Sequence, residues 1–251
     1  MLLPRAPECS QHIVYIMDTT ITIRRLPPET SGKIAAGEII ERPANVVKEL
    51  LENALDAAAA RVTINIEDGG RTLIQVCDDG TGIPAAELPL AAENYSTSKI
   101  ADISDLERIT TLGFRGEALA SIRSVSRLTI RSREASEKVG REIHWREGVI
   151  AADAPAVMNS GTIVTVAELF YNLPARRKFL AGDASEIRRI SSLVQSYGLA
   201  YPHVSMTLFH RGKEALAYPS CSFAERVEMV FGSSVFPNLR YFESSDAGMR
   251  V

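Results

Sequence analysis

The most informative part of the sequence is residues 46–82, which read VVKELLENALDAAAARVTINIEDGGRTLIQVCDDGTG. Its first twelve residues, 46–57, repeat with the period of a helix. At about 100° per residue, Glu49, Asn53 and Asp56 fall within about 60° of one another on one side of that helix. The opposite side is apolar and consists of Val47, Leu50, Leu51, Ala54 and Leu55. The pattern therefore predicts a helix with one face in the core and three polar groups on the other.

Two strands with alternating polarity follow this helix, at 61–67 and 72–77, around a Gly69-Gly70 turn. Hairpins mixed with helices favour an α+β fold, a two-layer sandwich of helices on a mostly antiparallel mixed sheet. The remaining predicted strands are 20–24, 127–131, 142–145, 162–169, 204–210 and 213–217. The remaining predicted helices follow Ser31 and occupy 117–125, 186–198 and 223–231.

The composition is that of a globular protein with a substantial core, with 251 residues of which 45% are hydrophobic and 24% charged. A net charge of -3 argues against a dedicated nucleic-acid-binding module, although it leaves room for a local basic patch. Cys9, Cys77 and Cys221 are too sparse for a disulfide framework or a zinc site. No apolar run approaches the roughly 20 residues that a membrane span needs, so we expect a cytoplasmic protein. Met17 is a second candidate for the start codon.

Glycine clusters recur after the first helix. Asp78-Asp79-Gly80-Thr81-Gly82 directly follows a strand, so backbone can approach a ligand there while a carboxylate accepts a hydrogen bond. Gly113-Phe114-Arg115-Gly116-Glu117 leads into an apolar helix, whose free amides would favour an anion such as phosphate. The polar segment 94–99 between them is long enough to cover a nucleotide, and Gly161-Thr162 opens a later strand. Each cluster alone is as consistent with a simple turn, and none is a Walker A or dinucleotide-binding motif.

In this order and spacing, the clusters resemble the ATP-binding motifs of the GHKL family (the Bergerat fold), which includes gyrase B, heat-shock chaperones, sensor histidine kinases and MutL. Longer stretches are similar to the MutL-type DNA mismatch-repair proteins in particular. These stretches are 34–43 (IAAGEIIERP), 97–100 (TSKI), 112–122 (LGFRGEALASI) and 170–180 (FYNLPARRKFL). The resemblance extends from about residue 23 to the C-terminus.

The resemblance implies a role for each matching residue. Glu49 would be the general base that activates water, and Asn53 would be the Mg²⁺ ligand. Asp78 would accept a hydrogen bond from the adenine amino group, with Gly80 and Gly82 giving the base room. The other implied ATP-binding residues are Thr97, Ser98 and Lys99 in the lid, Gly113, Phe114, Arg115, Gly116, Glu117, Ala118 and Leu119 in the phosphate loop, and Thr162 beside the adenine.

The resemblance also implies slow hydrolysis of Mg-ATP and ATP-driven homodimerisation. The implied partners are a MutS-type mismatch-recognition protein, DNA bound without sequence preference, and a strand-nicking endonuclease or helicase. Residues 1–20 would be an extension, 21–218 the ATPase domain and 219–251 the beginning of a transducer domain. In the family a transducer-domain lysine completes the site. The sequence ends at Val251, before that lysine, so we expect weak turnover.

Two departures from the family pattern stand out. Ala58 follows Asp56-Ala57 where the family often has glycine, so the helix would run longer or end differently. Asn94-Tyr95 replaces a more usual Arg-His before the lid. The basic residues at 176–178 and 188–189 are either part of a DNA-facing patch or a solvated surface. The alternatives to a conformational ATPase are a nucleotide-gated interaction module with little turnover and a gyrase B-like topoisomerase ATPase.

Overall fold

The structure is a computed structural model that describes residues 39–94, 96, 112–113 and 116–232. The predicted strand at 20–24 and the predicted helix after Ser31 lie outside the described residues. So do the lid residues Thr97, Ser98 and Lys99 and the loop residues Phe114 and Arg115.

Within the described residues, eight strands form one sheet in the order β5-β4-β3-β6-β2-β1-β7-β8. Neighbouring strands are antiparallel except for β1 and β7, which are parallel. The strands are β1 (Arg61–Glu67), β2 (Leu73–Asp78), β3 (Arg127–Arg133), β4 (Gly140–Arg146), β5 (Val149–Ala156), β6 (Gly161–Ala167), β7 (Ser205–His210) and β8 (Lys213–Tyr218). The sheet is therefore mixed and mostly antiparallel, as predicted.

The helices in the described part of the chain are α1 (Pro43–Asp56), α2 (Ala118–Val125), α3 (Pro174–Phe179), α4 (Asp183–Ala200) and α5 (Phe223–Phe231). Val62, Ile64 and Ile66 of β1 are buried and alternate with half-buried Thr63 and Asn65. This period-2 burial shows that one face of the sheet packs on the apolar core that the helices complete. The predicted α+β two-layer sandwich is confirmed.

Two elements were missed by the sequence analysis. Strand β5 is exposed along all but its last residue and contains Pro155, so it lacks the alternation that marks a half-buried strand. Helix α3 has six residues and none of them is buried, so it has no apolar face to recognise. The other predicted elements that the structure describes are present, with ends that differ by up to three residues.

Helix α1 ends at Asp56 despite the missing glycine. Ala58 takes the left-handed conformation, with φ of 55°. Its amide donates to the Leu55 carbonyl oxygen at 2.9 Å, and the Ala59 amide donates to that of Ala54 at 3.1 Å. These two bonds form a Schellman motif, which usually has glycine at the left-handed position. An alanine therefore occupies a glycine conformation here, and the helix does not run longer.

The last described helix, α5, is attached to the rest of the domain through Arg226. This side chain is fully buried, and Nη1 donates to the Gly198 carbonyl oxygen at 2.6 Å. Nη2 donates to the carbonyl oxygens of Pro202 and Pro219, and the guanidinium lies 5.0 Å from the centre of the Tyr218 ring. A buried arginine is stable here because several carbonyl oxygens solvate it. The predicted domain boundary at residue 219 stays a prediction.

Candidate functional site

Asp78 lies at the end of β2, opposite Thr162 of β6. Its Oδ1 accepts hydrogen bonds from the backbone amides of Gly80, at 3.0 Å, and Thr162, at 3.3 Å. Burial raises the pKa of Asp78 to about 6, partly offset by these two amides. The carboxylate is thus fixed in orientation, poorly hydrated and suited to accept a hydrogen bond from a ligand.

The loop after Asp78 is bonded to the end of α1 and the start of β1. Asp79 Oδ1 accepts from the amides of Ala60 at 2.9 Å and Arg61 at 2.7 Å. The Thr81 amide donates to the Ala57 carbonyl oxygen at 3.0 Å. Asp79 therefore holds the loop in place, while Asp78 is left to face a ligand.

Two glycines allow the backbone segments around Asp78 to pack closely. At Gly82, with φ of 75°, an added Cβ would lie 2.2 Å from the Arg133 carbonyl oxygen. At Gly161, with φ of 123°, it would lie 2.1 Å from the carbonyl oxygen of Asp78. Any side chain at either position would force strands apart, so the sequence requires glycine there. In the sequence, Gly161 was noted as the first residue of the Gly-Thr pair that opens a strand and resembles a family motif.

Ser132 is a further residue of this region that the sequence analysis missed. Its side chain is fully buried, and Oγ accepts from the Ile83 amide at 2.8 Å and donates to the Gly161 carbonyl oxygen at 3.0 Å. The Thr162 hydroxyl lies 2.9 Å from Ser132 Oγ and donates to it, since the one proton of the Ser132 hydroxyl is given to Gly161. A polar residue at a core-facing position of β3, after Leu128 and Ile130, was the signal that could have found it.

The polar face of α1 carries Glu49, Asn53 and Asp56, all half-buried. Glu49 keeps 27% of its side chain exposed, and its Oε1 lies 3.5 Å from Lys48 Nζ. Glu49 is therefore reachable by water, while the apolar residues of the same helix lie in the core. Glu52 departs from the two-sided pattern, because it is buried although it is charged, with Lys48 and Tyr197 as its hydrogen-bond partners.

Asp56 connects α1 to the predicted phosphate loop. Its Oδ1 accepts from the Leu112 amide at 3.0 Å, and its Oδ2 lies 3.3 Å from the Gly113 amide. The sequence places Asp56 on the correct helix face but gives it no role, because its partners are 56 and 57 residues away. The Asp78 loop and the predicted phosphate loop thus both bond to the C-terminal end of α1, at Ala57 and at Asp56.

Gly116 precedes α2, which begins at Ala118. Gly116 lies against the predicted lid, since an added Cβ would be 2.8 Å from the Ser96 carbonyl oxygen. Glu117 is the N-cap of α2, and its side chain makes no capping bond. The Glu117 side chain therefore does not cap the first-turn amides of Ala118 and Leu119, and their contact with an anion stays a prediction.

The described residues contain no helix that is both long and apolar enough to cross a membrane. They also contain no cluster of three or more His, Cys, Asp or Glu side chains suited to a metal ion. A Mg²⁺ ion held by one protein oxygen, by nucleotide phosphates and by water does not need such a cluster. The carboxamide oxygen of Asn53 and the close-packed glycines fit that kind of metal-nucleotide group.

Comparison with known proteins agrees with this geometry. Residues 40–168 match the model of the family described as "Histidine kinase-, DNA gyrase B-, and HSP90-like ATPase". The DNA mismatch repair protein MutL of Solibacter usitatus is 49% identical over 218 residues, which cover 86% of this chain and 33% of that protein. MutL of Actinobacillus succinogenes is 50% identical over 203 residues, 79% of this chain and 31% of that protein. The chain spans about a third of the length of these relatives.

Solved structures give the same result. The MutL ATPase domain of Aquifex aeolicus complexed with ADP has 41% sequence identity and a TM-score of 0.62, with 77% of this chain and 70% of that chain covered. The N-terminal domain of a DNA repair protein has 27% identity and a TM-score of 0.71, with 85% and 63% covered. The chain therefore belongs to the histidine kinase-, DNA gyrase B- and HSP90-like ATPases, and within them to the MutL N-terminal ATPase regions.

Proposed function

We propose that this chain binds Mg-ATP between the Asp78 loop and the loop before α2, and hydrolyses it slowly as part of a DNA mismatch-repair protein. The observation that carries the proposal is the Asp78 carboxylate, which two backbone amides hold at the end of β2 beside close-packed glycines. Since Oδ1 takes both amides, Oδ2 is the oxygen that accepts the adenine amino proton. Gly80, Gly82 and Thr162 surround the base.

The phosphates would bind at the N-terminus of α2. Amides at Gly113, Gly116, Glu117, Ala118 and Leu119 would contact them, because a helix N-terminus favours negative charge. Bound Mg²⁺ would neutralise phosphate charge, with Asn53 as its protein ligand. The remaining proposed ATP contacts are Thr97, Ser98 and Lys99 in the lid and Phe114 and Arg115 in the loop.

Glu49 would take a proton from the attacking water. Its partial exposure on the same face of α1 as Asn53 supports this role. A nucleotide-binding module without turnover would not require a carboxylate at this position, so Glu49 favours an ATPase over the binding-only alternative. Relatives named as MutL favour mismatch repair over a gyrase B-like topoisomerase.

For the complete protein we propose ATP-driven homodimerisation, with a MutS-type mismatch-recognition protein, DNA and a strand-nicking endonuclease or helicase as partners. In this scheme nucleotide binding is the signal and slow hydrolysis resets it. A cytoplasmic location is part of the same proposal.

Calorimetric titration with a non-hydrolysable Mg-ATP analogue tests the site. Asp78→Asn should weaken binding by about tenfold to a hundredfold, because it replaces a charged acceptor in a poorly hydrated position. Asp153→Asn is the matched control, since Asp153 forms an exposed ion pair with Arg141 at the β4–β5 edge. Equal binding by the unmodified chain and by Asp78→Asn would contradict the adenine assignment.

A further inference from the structure

Glu52 is a buried carboxylate in the middle of α1, with 7% of its surface exposed. Its Oε2 lies 2.8 Å from Lys48 Nζ one helical turn earlier, and its Oε1 accepts a hydrogen bond from the Tyr197 hydroxyl of α4. A buried carboxylate is stable only with such partners. Both carboxylate oxygens of Glu52 thus have a partner, Lys48 on the same helix and Tyr197, which lies 145 positions away in the sequence.

Lys48 lies between Glu52 and the proposed base. Its ammonium is 2.8 Å from the Glu52 carboxylate and 3.5 Å from Oε1 of Glu49. Burial lowers the pKa of Lys48, but the hydrogen bonds to Glu52 and Glu49 and the charges of both carboxylates raise it above its ordinary value overall. The ammonium therefore stays charged at neutral pH.

The Tyr197 hydroxyl stays protonated as well. Burial raises its pKa, and the hydrogen bond and charge of Glu52, the charge of Glu49 and the nearby Tyr201 raise it further. The hydroxyl can therefore act only as a donor to Glu52. Loss of this donor would leave one oxygen of a buried carboxylate without its partner.

The position of Lys48 matters for the chemistry of Glu49. A lysine ammonium is a compact charge on a flexible stem, so whatever binds it decides where it lies. Held by Glu52 at 2.8 Å, it forms a longer ion pair with Glu49, 3.5 Å from Oε1. Without Glu52 it would be free to shorten this ion pair, and a closer cation makes a carboxylate a weaker base.

We propose that Glu52 and Tyr197 are positioning residues for Glu49, acting through the ammonium of Lys48. Tyr197 fixes Glu52, Glu52 holds Lys48, and Lys48, kept at the longer of its two ion-pair distances, orients the Glu49 carboxylate. This inference rests on the proposed function, because it requires Glu49 to be the base.

The first test compares Tyr197→Phe with Tyr201→Phe, two substitutions that each remove one hydroxyl at the C-terminal end of α4. Tyr197→Phe keeps the ring, which stacks on Tyr201 with centroids 6.3 Å apart, and removes only the bond to Glu52. We expect single-turnover hydrolysis of ATP, with the chain in excess, to slow about tenfold, as loss of one hydrogen bond to a charged group predicts. Affinity for the non-hydrolysable analogue should stay within about twofold. Tyr201→Phe should change neither quantity.

The second test removes the charge of Glu52. Glu52→Gln should slow hydrolysis more than Tyr197→Phe does, because Lys48 is then released to Glu49. Adding Lys48→Met to Glu52→Gln should restore part of the rate, since the cation that weakens Glu49 is gone. A purely structural role for Glu52 predicts the reverse, with the double variant worse than either single one. Melting temperatures identify any variant that is simply unfolded.

Glu49→Gln separates the failure of this inference from that of the proposed function. If Glu49→Gln is inactive and Tyr197→Phe hydrolyses ATP at the same rate as Tyr201→Phe, the positioning role is wrong and the base assignment stands. If Glu49→Gln hydrolyses ATP at the unmodified rate, the base assignment is wrong and the positioning role is wrong with it.

Discussion

The two halves of the candidate site are built differently. The adenine half (Asp78–Gly82, Ser132 and Thr162) joins three strand ends through buried backbone and hydroxyl hydrogen bonds. In the phosphate half (Asp56, Leu112, Gly113, Gly116 and the start of α2), the Asp56 carboxylate of α1 accepts hydrogen bonds from the amides of Leu112 and Gly113. Among the described residues, the adenine half is thus held mainly by strand ends, whereas the Leu112–Gly113 segment is bonded to a side chain of α1.

This difference predicts how each half fails. Damage to the adenine half should reduce affinity for every adenine-containing ligand, including adenosine. Damage to the phosphate half should reduce affinity only for ligands that carry phosphates. Adenosine and the Mg-ATP analogue, titrated side by side, therefore report on the two halves separately.

Asp56→Asn is expected to give the largest difference between the loss of affinity for the Mg-ATP analogue and the loss of affinity for adenosine. The substitution presents an amide nitrogen to one of the two backbone donors, so the Leu112–Gly113 segment loses part of its anchor. We expect affinity for the Mg-ATP analogue to fall by about tenfold to a hundredfold. Adenosine affinity should stay within about twofold of the unmodified chain, with Asp153→Asn as control. An equal loss for both ligands would show that the two halves are not independent.

The pH dependence of adenosine binding tests the adenine half alone. Burial raises the pKa of Asp78 from 3.8 to about 6. Once Oδ2 carries a proton, it can no longer accept a hydrogen bond from the adenine amino group. Adenosine affinity should therefore be level above about pH 7 and fall by about tenfold per pH unit below pH 6. Asp78→Asn should bind weakly with no such dependence. An unmodified chain whose affinity is flat from about pH 5 to 7.5 would contradict this reading.

The same pKa has the opposite effect on the unbound fold. Because the folded pKa lies above the unfolded one, the contribution of Asp78 to stability is complete below about pH 3.8 and is lost as pH rises through about 6. Nucleotide binding and the contribution of Asp78 to unbound stability should thus change in opposite directions across this window. Ligand-free melting curves of the unmodified chain and of Asp78→Asn at several pH values isolate that contribution, and adenosine-bound curves show the effect on binding.

Patterns that repeat with a period along the chain were predictable, and contacts between distant residues were not. The β1–β2 hairpin and helix α1 follow from alternation and helical spacing within short windows. Asp78 and the glycines near it were found because several motif residues lie side by side in the sequence. Asp56 and Ser132 gained their roles only through partners on other elements, which no local window contains.

Glu52 shows a second limit of the sequence. Its neighbours place it on a helix with one apolar face, where a glutamate is usually solvated. Its burial depends on Tyr197, which α4 brings against α1. Strand β5 was missed for a simpler reason, because an exposed edge strand needs no apolar alternation.

The smallest expected effect concerns the join between α1 and the adenine half. Ala58 holds a left-handed conformation at the end of α1, and its neighbour Ala57 accepts from the Thr81 amide of the Asp78 loop. Ala58→Gly should raise the free energy of unfolding by about 1 kcal/mol, because glycine avoids the clash between Cβ and the carbonyl oxygen. Ala57, with φ of -78°, is the matched control, and Ala57→Gly should lower the free energy of unfolding by about 0.5–1 kcal/mol. Urea unfolding gives both values.

If the adenine half is as independent of the helix layer as the sheet contacts indicate, Ala58→Gly stabilises the chain and leaves adenosine affinity unchanged. A stabilised chain with altered adenosine affinity would instead show that the strained end of α1 helps to set the position of Asp78.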